Sequence, residues 1–226
     1  MSNCSVLYYT GNRKPPNFEA KIRQTMMENC GGLPIVSVSQ KPIECGKNIC
    51  VGNVGASYVN VFKQILIGAE AVETEFIFLA EDDFLYPPEF YQFKPTADYY
   101  RYGNTWIVSW RGLYMAARPA NAVVRREFAI RTMTQCLEGF PDWVDSPPVG
   151  KPIETGKPEF MNEPYEIFTG PPVVGFKGKG NLSCLGARGE DKARMLEPWG
   201  YVDGLRKRYD YEHSHLVPNE EPVNIS

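Results

Sequence analysis

The chain has 226 residues, 43% hydrophobic and 13% aromatic, with 24 Lys+Arg against 27 Asp+Glu. This is enough apolar material for one globular domain with a substantial core, and it excludes a wholly disordered chain. A net charge of −3 excludes a strongly basic nucleic-acid binder of the histone kind.

Charge is unevenly placed. Residues 101–135 carry six basic groups and one acidic, residues 136–176 two and seven, and residues 177–215 eight and six. Two basic stretches around an acidic one suit an anionic ligand, and equally a solvated face. No run of 18 apolar residues occurs, and Met1-Ser2-Asn3-Cys4-Ser5 lacks the basic-then-apolar order of a secretion signal, so the expectation is a cytoplasmic chain with no membrane span. The six cysteines are scattered, which favours reduced thiols; a zinc site from Cys45, Cys50, Cys184 and His213 would lack the usual paired spacing. Glycine and proline number 20 and 19, and eight of the prolines lie between Pro141 and Pro172, marking a long turn-rich insertion.

In chain order, Ser5–Thr10 is a short β-prone apolar run ended by Gly11-Asn12 and reads as a buried strand. Pro15-Pro16 opens a helix in which Phe18, Ile22, Met26 and Met27 recur at helical spacing up to Asn29. Pro34–Gln40 is a second strand, and Ala56–Ala71, with Val59, Phe62, Ile65, Leu66 and Ala69 on one face, a second helix. Thr74–Ala80 is a continuous apolar strand running into Glu81-Asp82-Asp83. Strand, helix, strand, helix, strand is the pattern of a parallel α/β sheet. Beyond it, Trp106–Trp110 and Gly112–Ala117 read as paired strands, Pro119–Leu137 as a third helix and 140–172 as loop. Pro172–Phe176 reads as a last strand, with short helices near Lys192–Leu196 and Val202–Arg208.

Three carboxylates at the carboxyl end of a buried strand are costly unless a cation neutralises them, and open α/β sheets bind ligands at that edge. Mg²⁺ or Mn²⁺ suits such oxygen donors and would bridge the phosphates of a nucleotide; the plain alternative is a solvated acidic cap on a helix at Pro87-Pro88-Glu89-Phe90.

The chain resembles small GT-A-type nucleotide-sugar glycosyltransferases, family-2-like, of bacteria and bacteriophages. Three segments carry the resemblance: Tyr9-Thr10-Gly11-Asn12-Arg13, Gly52-Asn53-Val54-Gly55-Ala56-Ser57, and Phe76–Asp83 followed by an aromatic, proline-bearing turn. The resemblance implies a GT-A fold: one domain over 1–226, with a mixed, mainly parallel sheet flanked by helices. Residues 5–100 would hold the nucleotide sugar and metal, and 101–215 would serve the acceptor. It further implies that Thr10 and Asn12 lie beside base and ribose and that Asn53 and Gly55 edge the nucleotide pocket. Asp83 would hold Mn²⁺ or Mg²⁺ with Asp82, and Glu81 or Asp82 would face the ribose or sugar. The usual Asp-x-Asp is here Glu81-Asp82-Asp83, so which two acids act is open. His213, near the C-terminus, would complete the metal shell.

Sugar transfer with inversion needs a carboxylate base for the acceptor hydroxyl and cations for the departing diphosphate. Lys177 and Lys179, in Gly175-Phe176-Lys177-Gly178-Lys179, are candidates to close over the phosphates, against a plain surface turn. Asp142, Asp145 and Glu163 are the base candidates, with Glu127 further off. Trp106, Trp110, Arg111 and Arg118 belong to an arginine-and-aromatic stretch that could grip a sugar or a polynucleotide. The expected reaction is metal-dependent transfer from a nucleoside diphosphate sugar, UDP-linked foremost, to a hydroxyl of a glycan, a small molecule or a hydroxymethylated pyrimidine in phage DNA. The alternatives are a sugar-1-phosphate nucleotidyltransferase, whose glycine-rich N-terminal phosphate loop is missing, and a non-catalytic carbohydrate- or nucleic-acid-binding module.

Overall fold

A computed structural model describes residues 3–109, 112–116, 120–140, 142–144, 163–177 and 194–209. Its first half alternates strand and helix: β1 (Cys4–Thr10), α1 (Pro16–Asn29), β2 (Ile35–Ser39), β3 (Lys47–Cys50), α2 (Tyr58–Ala71) and β4 (Phe76–Glu81). Next come β5 (Phe84–Leu85), α3 (Pro88–Gln92), β6 (Tyr99–Tyr102), β7 (Thr105–Ser109), β8 (Gly112–Met115), β9 (Ala120–Arg125) and α4 (Arg126–Cys136). The remainder holds β10 (Glu166–Phe168), β11 (Val173–Lys177), β12 (Met195–Leu196), β13 (Gly200–Tyr201) and α5 (Val202–Arg208).

The main sheet has the order β10-β6-β9-β4-β1-β2-β3. β1 pairs in parallel with both β2 and β4, β2 with β3, and β10 with β6, while β9 runs antiparallel between β4 and β6. This is a mixed α/β fold with a mainly parallel central sheet flanked by helices.

Period-2 alternation assigns the two faces of this sheet. Leu7, Tyr9, Ile77 and Leu79 pack with Ile65 and Ala69 of α2 and Phe128 and Met133 of α4. Val6, Tyr8, Phe78 and Ala80 pack on the opposite face with Met26 of α1 and an aromatic group of Phe84, Tyr86, Phe90 and Tyr91. Each buried Val, Leu, Ile, Phe or Met among these contributes about 1.5–3 kcal/mol of transfer free energy. Helix α2 lies close on β1 because residue 68 is glycine; a Cβ there would stand 2.1 Å from a Leu7 methyl carbon.

A second sheet, β5-β11-β7-β8, packs through Trp106, Val108, Val174 and Phe176 against Phe18 and Ile22 of α1 and Val202 and Leu205 of α5. Helix α1 therefore lies between two cores. No helix among the described residues is long and apolar enough to cross a membrane.

Two expected helices are corrected. The stretch Pro119–Leu137 is divided: Ala120–Arg125 is strand β9, and only Arg126–Cys136 is helix. Val123 and Val124 are fully buried on opposite faces of the sheet, which a helix would not permit. Met195–Leu196, expected to end a helix, instead pairs with β13 as a short antiparallel strand. Strands β3, β6 and β10 were not anticipated; β10 falls within the proline-rich stretch 141–172, most of which lies outside the described residues.

Candidate functional site

The connection from β1 leads through α1 to β2 on one side, whereas β4 joins β1 on the other. The carboxyl ends of β1 and β4 thus meet at a topological switch point, where open α/β sheets bind ligands. Register sets Tyr9 beside Glu81 there. Immediately beyond, the Thr10 hydroxyl donates to Asp82 at 2.6 Å and accepts the Asn12 backbone N–H at 2.8 Å.

Asn12 turns the chain with a φ of 50°, a left-handed conformation that asparagine tolerates better than most residues. Glu19, one turn into α1 and 4% exposed, fastens this turn by accepting from Asn12 Nδ2 at 3.2 Å and Lys14 N at 3.0 Å. On the other side, the Lys41 N–H donates to Asn12 Oδ1 at 2.8 Å.

Next to this turn opens a cleft of about 380 Å³ lined by Gly11, Asn12, Arg13, Gln40, Lys41, Asn53, Gly55 and Ala56. Its far wall is clamped by Gln40, whose Nε2 donates to Gly55 O at 2.6 Å and whose Oε1 accepts from Val54 N at 3.3 Å. Ser57 caps α2 by accepting from Asn60 N. Asn60 reaches in three directions: its Nδ2 donates to Val54 O and Val144 O, and its Oδ1 accepts from Val144 N. Val144 is thereby tied to the first turn of α2, through the same side chain that holds Val54. A larger cleft of about 540 Å³ opens around Cys4, Phe76 and Phe93, at the opposite, amino end of β1 and β4.

The acidic triplet is divided by its surroundings. Asp83 is 3% exposed and receives two ammonium groups: Lys177 Nζ lies 3.1 and 3.3 Å from its two oxygens, and Lys14 Nζ lies 3.4 Å from Oδ2. Pairing of β11 with β5, together with Phe176 N donating to Asp83 O at 2.8 Å, delivers Lys177 to this point. Gly175 makes the approach possible, since a Cβ there would stand 2.5 Å from the Phe84 ring. Burial works against the charge of Lys177, but the Asp83 and Glu81 carboxylates outweigh it and raise its pKa.

Glu81 and Asp82 are only half-buried. Burial pushes Glu81 up to about 7, with Lys177 opposing and Asp83 and Asp82 adding to the rise. Burial and the Asp83 charge also raise Asp82, against Lys14 and the Thr10 hydrogen bond. Glu19 is pushed up to about 7 by burial and by the Asp82 charge. Four carboxyl groups thus share this corner with Lys14, Lys177 and the Arg23 charge, and burial holds two of them, Glu81 and Glu19, near 7.

This donor set bears on the expected divalent cation. Asp83 is engaged by lysines, and no group of three or more His, Cys, Asp or Glu among the described residues is arranged to hold a metal. A nucleotide-bound Mg²⁺ needs only one or two protein carboxylates, the phosphates and water completing its shell. Asp82, with Glu81 beside it, fits that smaller requirement; His213 lies outside the described residues.

Of the expected donor-site residues, Thr10, Asn12, Asn53, Gly55, Glu81, Asp82 and Lys177 come together along this edge; Lys179 lies outside the described residues. Of the base candidates, Asp142 is exposed in the segment tied by Asn60, Glu163 lies just before β10, and Asp145 is outside. Trp106 is 6% exposed within the core beneath α1, its indole N–H donating to Asn104 Oδ1 at 3.0 Å and its ring covered by Arg194 at 3.9 Å. An acceptor cannot stack on it as expected. Trp110, Arg111 and Arg118 are outside the described residues, as are Cys184 and His213 of the zinc alternative; Cys45 is buried as a free thiol.

Lys14, Glu19, Gln40 and Asn60 were not singled out from sequence. Asn60 and Gln64 did carry a signal, being polar residues four apart on the apolar face of α2. Gln64, 2% exposed, donates to Thr10 O at 2.8 Å.

No family profile and no curated protein matches this chain. Among solved structures, it is similar to a glycosyltransferase involved in glycosylation of the major capsid of PBCV-1, at 13% identity and a TM-score of 0.43, covering 74% of this chain and 81% of that one. It is also similar to S. aureus TarS, at 11% identity and a TM-score of 0.44, covering 77% and 36%. A nucleotidyl transferase from Methanothermobacter thermautotroptrophicus follows at 10% and 0.40, covering 58% and 75%. Likeness at this level assigns no activity.

Proposed function

We propose that the protein transfers a glycosyl group from a nucleoside diphosphate sugar to an alcohol acceptor, using a GT-A-like arrangement. The observation that carries this reading is the joining of the Asn12–Gln40–Gly55 cleft to the acidic and lysine-bearing switch point through the Thr10–Asp82 hydrogen bond. A nucleoside in the cleft would meet Asn12, Asn53 and the Gly55 backbone. Its diphosphate would run toward Lys177, and its sugar would sit over Glu81 and Asp82.

In the reaction the acceptor oxygen attacks the anomeric carbon, the bond from that carbon to the phosphate oxygen breaks, and the diphosphate leaves with the electron pair. A carboxylate takes the hydroxyl proton. Asp142 is the base we favour among the described residues, because Asn60, which also bonds Val54 next to the cleft residues Asn53 and Gly55, holds Val144 two residues away. A Mg²⁺ or Mn²⁺ ion at Asp82 would add Lewis-acid stabilisation of the leaving diphosphate when bound. Inversion of the anomeric centre and an acceptor such as a hydroxymethylated pyrimidine in DNA are part of the same proposal.

The test is incubation of the protein with Mn²⁺ and UDP-, GDP- and dTDP-sugars, with free diphosphate measured over time. Slow release from at least one donor, accelerated by an acceptor, supports the reading; a protein that neither binds nor consumes any donor contradicts it.

A further inference from the structure

We infer that Lys14 and Lys177 form a cationic cradle for the donor's diphosphate, and that Asp83 serves to hold these two ammonium groups together rather than to ligate a cation. The inference rests on the proposed reading of the cleft as a nucleoside diphosphate site, and it adds a residue, Lys14, and a changed role for Asp83.

The geometry is that of an anion site with a side chain in it. Two ammonium groups from distant parts of the chain, one on the β1–α1 turn and one at the end of β11, converge within 3.1–3.4 Å of the same carboxylate oxygen. Both ammonium groups also act on Asp82, and Lys177 on Glu81, so the pair offsets the acidic corner as well as Asp83.

Exposure is graded in the right sense. The Asp83 side chain is 4% exposed, whereas Lys177 and Lys14 are 12% and 20% exposed, so both lysines keep some open surface where Asp83 is covered. Lys14 follows Arg13, which lines the cleft with Lys41, so cationic side chains extend from the cleft to the switch point. A phosphate chain attached to a nucleoside would follow that path. Lysine suits the task because its ammonium is a compact charge on a flexible stem that can exchange a carboxylate for a phosphate oxygen. The fastening of Lys14 N by Glu19 fixes where that stem starts.

The experiment is calorimetric titration of the full chain, in excess EDTA and again in Mn²⁺, with UDP, GDP and dTDP, each beside its free nucleoside. In EDTA at least one diphosphate is expected to bind about tenfold or more tighter than its nucleoside. Lys14→Met should remove most of that advantage while leaving nucleoside affinity within about twofold, and Lys14→Arg should restore it. Lys177→Met alone takes the nearer of two cations from a buried carboxylate, so the second variant is Asp83→Asn with Lys177→Met, which should lose the same advantage.

If both variants bind diphosphates as the wild type does, or if the advantage exists only in Mn²⁺ and vanishes in EDTA, the cradle is overturned and the transferase reading stands. If no diphosphate binds in either buffer, the transferase reading fails with it.

Discussion

The hydroxyl of Thr10 donates to the Asp82 carboxylate at 2.6 Å, joining the ends of two parallel strands whose residues are 72 positions apart. Through its other hydrogen bond, from Asn12 N, the same hydroxyl sets the turn that forms one wall of the cleft. Thr10→Val keeps the shape and removes both bonds. We expect a loss of about 1–2 kcal/mol in stability and a several-fold rise in the KM for the donor, checked by urea unfolding and initial-rate kinetics.

Gln40 holds the opposite wall. In Gln40→Leu the Gly55 carbonyl and the Val54 N–H lose their partner, and the 53–55 wall keeps only the Asn60 bond to Val54 O. Nucleoside affinity should fall about tenfold, with unfolding free energy lowered by about 1–3 kcal/mol. Titration with the free nucleoside separates this effect from any on the diphosphate.

Asn60 offers a test of the acceptor side. Asn60→Ala removes the bonds that hold residues 142–144, together with the Val54 contact. Transfer to an acceptor should fall by about tenfold or more, whereas donor binding changes little, because the positioned base rather than the nucleotide cleft is displaced. Equal losses in both would show that Asn60 serves only the fold.

The buried acids set a pH dependence of stability. Burial and Asp82 hold the Glu19 pKa at about 7 in the folded chain, above the ordinary value of 4.5. Its stabilising contribution is therefore fully present below about 4.5 and is lost as pH rises through 7. Glu19→Gln, which still accepts from Lys14 N, cannot ionise. Between pH 4.5 and 7 its unfolding free energy should decline less steeply than the wild type's, by at most about 1.4 kcal/mol per pH unit, measured by urea unfolding across that range.

The first half of the molecule was legible because its signals are long and agree with one another. The helical repeat of Phe18, Ile22 and Met26 has one good solution, an amphipathic helix on the sheet, and the apolar run from Phe76 to Ala80 ending in three acids has another, a buried strand carrying its polar residues to the sheet edge. In the second half, local pattern competes with tertiary demand. Ala122-Val123-Val124 precedes a true helix and shares its apolar spacing; only the slot between β4 and β6 makes it a strand. Tyr99–Tyr102 is four residues long and includes Arg101, which is buried because its guanidinium bonds the Tyr99 hydroxyl and stacks on Tyr165.

At the site, the acids were visible but their partners were not. The partnership of Asp83 with Lys177, 94 residues apart, depends on β11 pairing with β5, which no spacing rule reports. Trp106 reads as an acceptor platform by composition, and it is a core residue because β7 lies inside the second sheet.

The most direct measurement for the central claim is the rate of diphosphate release from the nucleotide sugars by wild type and Asp82→Asn. Asp82 takes the Thr10 bond and is the acid proposed to carry the cation, so the account predicts measurable release by the wild type and a drop of about a hundredfold or more in Asp82→Asn, with the variant still folded. A wild type that releases nothing from any donor, or an Asp82→Asn variant as active as the wild type, would contradict it.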